Sequence, residues 1–265
     1  MPYQKKPYRD RRDAENFDSA ETGAGVVVGR NAFRELLASG RSIDKVFVQR
    51  GERSGSITLL VAQAIERKIP VVEADKRKLD ALSGTSNHQG VVALAAQKEY
   101  CTLDDILAVA AERGEPPLVV ILDGVEDPHN LGAIIRSADV FGAHGIVIPK
   151  RRASGISAIV EKASAGALEH MAVAKVTNIA DAIAELQKKG LWIYAAESGG
   201  DNYRTVDFGG AAGVVFGSEG NGVSRLVLEK CDFRVGIPNF GHVNSLNVSC
   251  AAAVVLAAIA DKRHS

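Results

Sequence analysis

The stretch LVVILDGVEDPHNLGAIIRSADVFGAHGIVIP, Leu118 to Pro149, sets two apolar runs on either side of a helical one. Leu118 to Leu122 is an unbroken apolar run of strand length, and Asp127-Pro128 is a turn signal. LGAIIRSADVFG then carries helical periodicity, and GIVIP is a second apolar strand. Two buried strands joined by a helix cannot form a hairpin, so they lie parallel in one sheet.

The same rhythm continues downstream. ISAIVEKASAGALEH reads as a helix, MAVAKV as a strand, IADAIAELQKKG as a helix, and LWIYAAE and GVVFGSEG as strands. RLVLEKC, FRVGIP and a long C-terminal helix complete the chain. Residues 118–265 are therefore predicted to be an α/β domain with a parallel sheet covered on both faces, its ligands expected beyond the carboxyl ends of the strands. The final helix, around Cys250 to Ala260, is small and apolar on nearly every side, which suits burial in the domain or across a subunit interface.

Upstream, TLDDILAVAAERG is helical, with Thr102 or Asp104 as cap, and Pro116-Pro117 stops it; residues 101–117 read as the interdomain connection. Residues 23–100 parse as strand, helix, strand, helix, strand and strand: VVVG, NAFRELLASG, KVFVQ, ITLLVAQAIERKI, PVVEAD and GVVALAA. This is a second, smaller α/β domain. Asn31 is placed to cap its first helix and Gly40 to end it. Residues 1–22 hold few aliphatic side chains and five basic ones in the first twelve positions, the composition of a disordered tail that is either merely solvated or an arm touching RNA.

With 265 residues, 46% hydrophobic and 24% charged, the chain can bury two cores. Its longest apolar run, Cys250 to Ala260, is too short to span a bilayer, and the charged N-terminus does not resemble a signal peptide, so neither a membrane nor a secreted protein is expected. Cys101, Cys231 and Cys250 are widely spaced and fit a reducing compartment, hence a cytoplasmic protein. The six histidines show no metal-ligand spacing, and no metal is expected. The zero net charge hides a bias: residues 1–100 hold 17 basic and 13 acidic side chains, the rest 15 and 19. Such a bias suits a polyanionic partner.

Chemistry is expected in three segments that each follow a strand. In the first, Asn130 is a cap candidate for its helix, and Arg136 lies six residues on. Six residues turn a helix by about 600°, equivalent to 240°, so Arg136 does not share the face of Asn130. By spacing alone Asn130 only caps and Arg136 is solvated, or both serve a ligand. The second segment, VVFGSEGNGVSR, offers Gly217, Gly220 and Gly222 for close backbone approach, but it is neither a P-loop nor a dinucleotide fingerprint. Glu219 within it disfavours a phosphate, leaving an adenosine-type ligand without phosphates or a plain glycine turn. In the third, IPNFGHVNSLNVSCAAAVV, Asn244, Ser245, Asn247 and Ser249 are more polar groups than capping requires. No G-x-S-x-G elbow is present.

Together the three segments resemble the signature motifs of the SpoU (TrmH) family of RNA ribose 2′-O-methyltransferases, of the SPOUT class. Asn130, Gly132 and Arg136 match its N-x-G-x-x-x-R pattern; Gly217, Glu219, Gly220 and Gly222 match its G-x-E-G-x-G loop. Ile237, Pro238 and the run Ser245, Leu246, Asn247, Val248, Ser249 and Ala251 match its third motif. The segments Gly29 to Leu37 and Asn87 to Ala93 are similar to the ribosomal-protein-like substrate-binding domain of the RlmB-type branch, which methylates a guanosine of 23S rRNA.

The resemblance implies a deep trefoil knot in the C-terminal domain, which no pattern rule would suggest, S-adenosylmethionine as cofactor, and a homodimer whose site uses both subunits. It implies that Gly217, Gly220, Ile237, Pro238 and Leu246 bind the cofactor, and that Arg136 acts on the 2′-hydroxyl. Asn130, Glu219, Ser245 and Asn247 would then position Arg136, the ribose or a phosphate. A tRNA ribose methyltransferase is the alternative within the family, and an inactive RNA-binding or ribosome-assembly protein the alternative outside it. His242, Asn244 and the basic tail fall outside the motifs and bear on substrate choice.

Overall fold

A computed structural model describes residues 24–51 and 55–264. The expectation for the basic tail, residues 1–22, lies outside the described residues.

The first unit contains β1 (Ala24–Val28), α1 (Arg30–Ser39), β2 (Ile43–Gln49), α2 (Ser56–Glu66), β3 (Val71–Ala74), α3 (Lys76–Ser83) and β4 (Val91–Ala96). Its four-stranded sheet runs β1-β4-β2-β3, with β4 antiparallel to both neighbours and β2 parallel to β3. Alternation along the strands sorts the core. Val27, Val46, Val48, Val91 and Ala93 face Phe33, Leu36, Leu60 and Val61 of α1 and α2, while Phe47, Val92 and Leu94 face Leu79 of α3.

Two expectations need correction here. Helix α3 was not foreseen, because KRKLDALS buries only Leu79; the Asp75 carboxylate starts it by accepting from the Lys78 N–H at 2.8 Å. Asn31 does not cap α1, which begins at Arg30 after Gly29, although Gly40 ends it in the left-handed conformation as expected.

In the connecting segment, α4 (Leu103–Arg113) starts with a capping box made by Thr102 and Asp105. Its Leu103 and Ile106 pack onto the second sheet, so the connection also covers a sheet face.

The second unit comprises β5 (Leu118–Asp123), α5 (Pro128–Val140), β6 (Gly145–Pro149), α6 (Ala158–Ala163), β7 (Ala172–Val176), α7 (Ile179–Lys188), β8 (Trp192–Asn202), β9 (Ala212–Gly217), α8 (Arg225–Leu228), β10 (Phe233–Gly236) and α9 (Val248–His264). The six-stranded sheet has the order β10-β8-β9-β5-β6-β7 and is parallel throughout. Leu118, Val120 and Leu122 point to α5 and α9, and Val119 and Ile121 to α4 and α7, so both faces are covered as expected. Central β5 is buried along nearly its whole length, which makes it read as a continuous apolar run.

The helix expected over ISAIVEKASAGALEH is broken. It stops at Ala163, passes through positive φ at Ala165 and Gly166, and resumes as a 3₁₀ turn, Ala167–Glu169. The break lets Gly166 approach Glu35 of α1, where a Cβ would stand 2.6 Å from the Glu35 Cγ. The first unit docks at this place. Arg41 bridges buried Glu161 (3.1 Å) and Glu169 (3.2 Å), the Ser39 hydroxyl donates to Glu169, and His170 pairs with Glu35. Burial pushes the Glu161 carboxyl above its ordinary range, against the opposing pull of Arg41.

Candidate functional site

The three motif segments meet at the carboxyl edge of the second sheet. Helix α5 is capped by Asp127, whose Oδ1 accepts from the His129 N–H at 2.8 Å, with Pro128 opening the first turn. Asn130 is therefore not the cap, a correction to the sequence expectation. It lies inside the helix, 7% exposed, with its amide turned toward the other two motifs.

A closed set of hydrogen bonds results. Asn130 Nδ2 donates to Glu219 Oε1 at 2.9 Å, and Asn247 Nδ2 donates both to Glu219 Oε1 at 2.7 Å and to Asn130 Oδ1 at 3.0 Å. Asn247 Oδ1 accepts from the backbone N–H of Ser249 at 2.9 Å and from its hydroxyl at 2.6 Å. Asn247 thus caps α9 with its oxygen while its nitrogen builds the cluster. The second carboxylate oxygen of Glu219, Oε2, takes no part in these bonds.

Local backbone chemistry explains how Glu219 is presented. Ser218 and Gly222 exchange two backbone hydrogen bonds of 3.0 Å, closing a tight loop with Glu219 near its tip, and Gly220 and Gly222 have φ of +88° and +64°. At Gly217 a Cβ would lie 1.9 Å from the Gly222 carbonyl carbon, so only glycine fits. Gly132 has a parallel role, since a Cβ there would come 2.4 Å from that of Ala163 where α5 packs on α6.

Two carboxylates that the sequence reading passed over hold the exit of this loop. Glu197 Oε1 accepts from the Val223 N–H at 2.6 Å, and Asp123 Oδ2 from the Ser224 N–H at 2.8 Å. Their signal was present: LVVILD and LWIYAAE are apolar strands that each close on an acid at the edge where ligands bind.

The remaining candidates are arranged differently. Arg136 is exposed on α5 and makes no hydrogen bond or ion pair with any described residue, so no such bond ties it to the cluster. Ser245 is exposed as well, without a side-chain hydrogen bond among the described residues. Ile237 and Pro238 are half-buried just beyond β10, and Leu246 is 52% exposed beside Asn247. Phe240 and Val243, 91% and 76% exposed, belong to the same loop.

Other chemistry is sparse. Among the described residues no group of His, Cys, Asp or Glu gathers as metal ligands would, and no helix is long and apolar enough to cross a membrane. Burial pushes the Cys231 thiol up to about 12, with nearby Asp232 adding to the effect. In the first unit, a polar hollow of about 380 Å³ is lined by Arg30, Arg50, Lys76, His88 and Gln89, away from the cluster.

Comparison with known proteins gives a consistent set of likenesses. Residues 117–257 match the model of the SpoU rRNA Methylase family, and residues 26–101 match that of an RNA 2′-O ribose methyltransferase substrate-binding domain. A protein of Staphylococcus saprophyticus, provisionally named a TrmH family tRNA/rRNA methyltransferase, is 45% identical over 240 residues, covering 90% of this chain and 96% of that one. The AdoMet-bound rRNA methyltransferase of Sinorhizobium meliloti aligns with a TM-score of 0.74 at 26% identity, over 92% of this chain and 89% of that one. The SpoU methyltransferase AviRb of Streptomyces viridochromogenes, in complex with AdoMet, has the same fold at a TM-score of 0.78 and 23% identity, over 95% of each chain.

Proposed function

The chain belongs to the SpoU rRNA methylase family of RNA ribose 2′-O-methyltransferases, and from that premise we propose that it methylates the ribose 2′-hydroxyl of a guanosine in 23S rRNA, with S-adenosylmethionine as methyl donor. The observation that carries the reading is the cluster of Asn130, Glu219, Asn247 and Ser249, which joins three distant segments at the ligand-binding edge of a parallel sheet. The match of the first unit to a substrate-binding domain, and its hollow bearing Arg30, Arg50 and Lys76, support RNA as the substrate.

The loops suit an adenosine carrying a positive charge better than a phosphorylated nucleotide. Glu197, Asp123 and Glu219 surround the glycine loop, and no Lys or Arg stands between Gly217 and Val223 to meet a phosphate. Backbone at Gly217 and Gly220 and the apolar surface of Ile237, Pro238 and Leu246 would hold the cofactor. When bound, it supplies an electrophilic methyl group on a positively charged sulfur.

The chain's own task is to orient the hydroxyl and stabilise the charge that develops on it. A ribose hydroxyl ionises several units above neutral, and each unit costs about 1.36 kcal/mol. A guanidinium stays protonated in proteins, so Arg136 stabilises the negative charge developing on the 2′-oxygen, and the proton that the hydroxyl gives up as the O–CH₃ bond forms passes to solvent water. Asn130, Glu219, Ser245 and Asn247 set the position of the ribose or of Arg136.

Because no bond ties Arg136 to the cluster of its own chain, we assign the working form to a homodimer in which Arg136 of one copy completes the site of the other. Half-buried Ala253, Val254, Ala257 and Ala258 on α9, with exposed Phe240 and Val243, support such an interface. A trefoil knot in the second unit belongs to the same proposal and rests on family membership. A cytoplasmic location belongs to the same proposal, since RNA and S-adenosylmethionine are both met there.

The test is transfer of labelled methyl from S-adenosylmethionine to separated bulk rRNA and tRNA, followed by nucleoside analysis. Label recovered as 2′-O-methylguanosine in 23S rRNA is the expected result. Label in tRNA would overturn the rRNA assignment and keep the chemistry. Cofactor binding without label in either RNA, free or within ribosomal particles, would favour a binding protein.

A further inference from the structure

The segment between β6 and α6, KRRASGI from Lys150 to Ile156, takes no part in the cluster and matches none of the three motifs. Lys150, Arg151 and Arg152 are consecutive and exposed, and their side chains bond to no described residue. Lys175, next to last in β7 and opposite Ile148 of β6, adds a fourth cation and lies over the Tyr100 ring at 4.7 Å.

The segment is built rather than slack. The Lys150 N–H donates to the Val176 carbonyl at 2.8 Å, the Ser154 N–H to that of Val125 at 3.0 Å, and the Ile156 N–H to the Tyr100 hydroxyl at 2.9 Å. Its three anchors are thus β7, the β5–α5 turn that leads into Asn130, and the junction with the first unit. Arg152 has φ of +54°, a left-handed backbone that glycine would adopt with less strain. The fold keeps a cation where the backbone favours glycine, the kind of outlier that points to use.

Its location decides what it can serve. Strands in a sheet lie about 4.8 Å apart, so the ends of β6 and β7 stand roughly 5 and 10 Å to one side of β5. On the other side of β5 stand the carboxylates of Glu197 and Glu219, and Glu126 and Asp127 flank the turn. A polyanion is repelled there and attracted along β6 and β7, toward the place where α6 and its following turn meet the first unit.

We infer that Lys150, Arg151, Arg152 and Lys175 form a phosphate-binding ridge that carries the RNA backbone from the substrate-binding unit to the ribose being methylated. The inference rests on the RNA methyltransferase reading above and deepens it. The ridge contacts the backbone and carries no base specificity, so it sets RNA affinity and register.

The experiment measures binding of bulk 23S rRNA and bulk tRNA at several salt concentrations, with methyl transfer in parallel. It compares wild type, the combined variant Lys150→Ser/Arg151→Ser/Arg152→Gly, single Arg152→Gly and single Arg152→Lys. The triple variant is expected to bind RNA about tenfold or more weakly, with a salt slope reduced by about 2 to 3. Its KM for RNA rises while kcat at saturating RNA and the calorimetric affinity for S-adenosylmethionine stay near wild type. Arg152→Gly keeps or raises the melting temperature yet lowers the slope by about 1, and Arg152→Lys restores it. Wild-type affinity and slope in the folded triple variant overturn the ridge alone. A wild-type protein that binds neither RNA overturns the functional reading and the ridge with it.

Discussion

Asn247 separates structure from function in a single side chain, because its oxygen caps α9 and its nitrogen holds Glu219 and Asn130. Asn247→Ser keeps an oxygen able to accept from the Ser249 N–H, serine being about as good an N-cap as asparagine, but cannot reach the cluster. Asn247→Ala removes both functions. The cap is worth about 1 kcal/mol, and each of the two amide bonds about 0.5–1.5 kcal/mol, toward the lower end for the exposed one to Glu219. The alanine variant therefore loses roughly 2–4 kcal/mol and the serine variant about 1 kcal/mol less. At about 2–4 °C per kcal/mol for a protein of this size, the two melting temperatures should differ by a few degrees, with serine the higher. Methyl transfer should fall about a hundredfold in both, since loosening the cluster misplaces the reacting groups. Thermal unfolding followed by circular dichroism and a labelled-methyl assay on the same preparations read both quantities. A serine variant with wild-type turnover would remove the cluster from the mechanism. Equal melting temperatures for the two variants would remove the cap.

Arg136→Ala should leave calorimetric affinity for S-adenosylmethionine nearly unchanged and cut transfer about 10²- to 10³-fold, the usual loss of a charge stabiliser; unaltered turnover would exclude it. Mixing inactive Arg136→Ala and Asn247→Ala proteins should restore about one quarter of wild-type activity, because random dimers hold one intact shared site in half of the population. No recovery after verified subunit exchange would place Arg136 and the cluster in the same chain's site. Arg41→Ala leaves Glu161 and Glu169 buried without their cation and should cost about 3–5 kcal/mol of stability, measured by urea unfolding. Because the folded Glu161 carboxyl is raised above its ordinary 4.5, the folded state holds its proton longer than the unfolded chain. Wild type should therefore lose stability relative to Glu161→Gln as pH rises from 4.5 through the folded value; a constant difference between the two would refute the assignment. Cys231, pushed up to about 12, should resist alkylation at pH 8 in the folded protein and react once the chain is unfolded, as peptide mass mapping would reveal.

The parallel sheet was legible because its strands are buried on both faces, and burial on both faces leaves a continuous apolar run that no surface strand would tolerate. LVVILD, GIVIP and AGVVFG needed no partner to be recognised. Helix α3 was hidden for the opposite reason. Its core contribution is chiefly Leu79, so it has too few buried positions for a period to register, and its capping Asp75 resembles any loop acid. The break at Ala165 and Gly166 was hidden too. ISAIVEKASAGALEH keeps helical composition on both sides of Gly166, a residue that can sit inside a helix or end it, and here the chain turns at positive φ where Glu35 of α1 packs against it. The glycine that can end the helix is visible in the sequence, but the contact made there comes from a segment some 130 residues earlier, the distance that separates His170 from Glu35.

Asn130 makes the same point within the site. Read along the chain, an asparagine after Asp-Pro-His at the start of a helix is a cap, and three residues earlier Asp127 already fills that role. A second side chain can serve the same helix end, as Asp105 does beside Thr102 in α4, but the Asn130 side chain bonds to no backbone group of α5, so it has to be explained by something outside the helix. The geometry supplies it, since the amide of Asn130 reaches Glu219 and Asn247, 89 and 117 residues away. The same surplus argument applies to Asn247, where one oxygen suffices for the cap and the nitrogen remains for other use. Polar groups in excess of what local structure consumes are thus the sequence-level trace of a site. Their number can be read from the chain, but their mutual contact depends on the order β9-β5 in the sheet, which brings the Glu219 loop beside α5. Arg136 carries that logic one step further: no described residue of its own chain pairs with its charge, and the proposed homodimer would direct it to the site of a second copy.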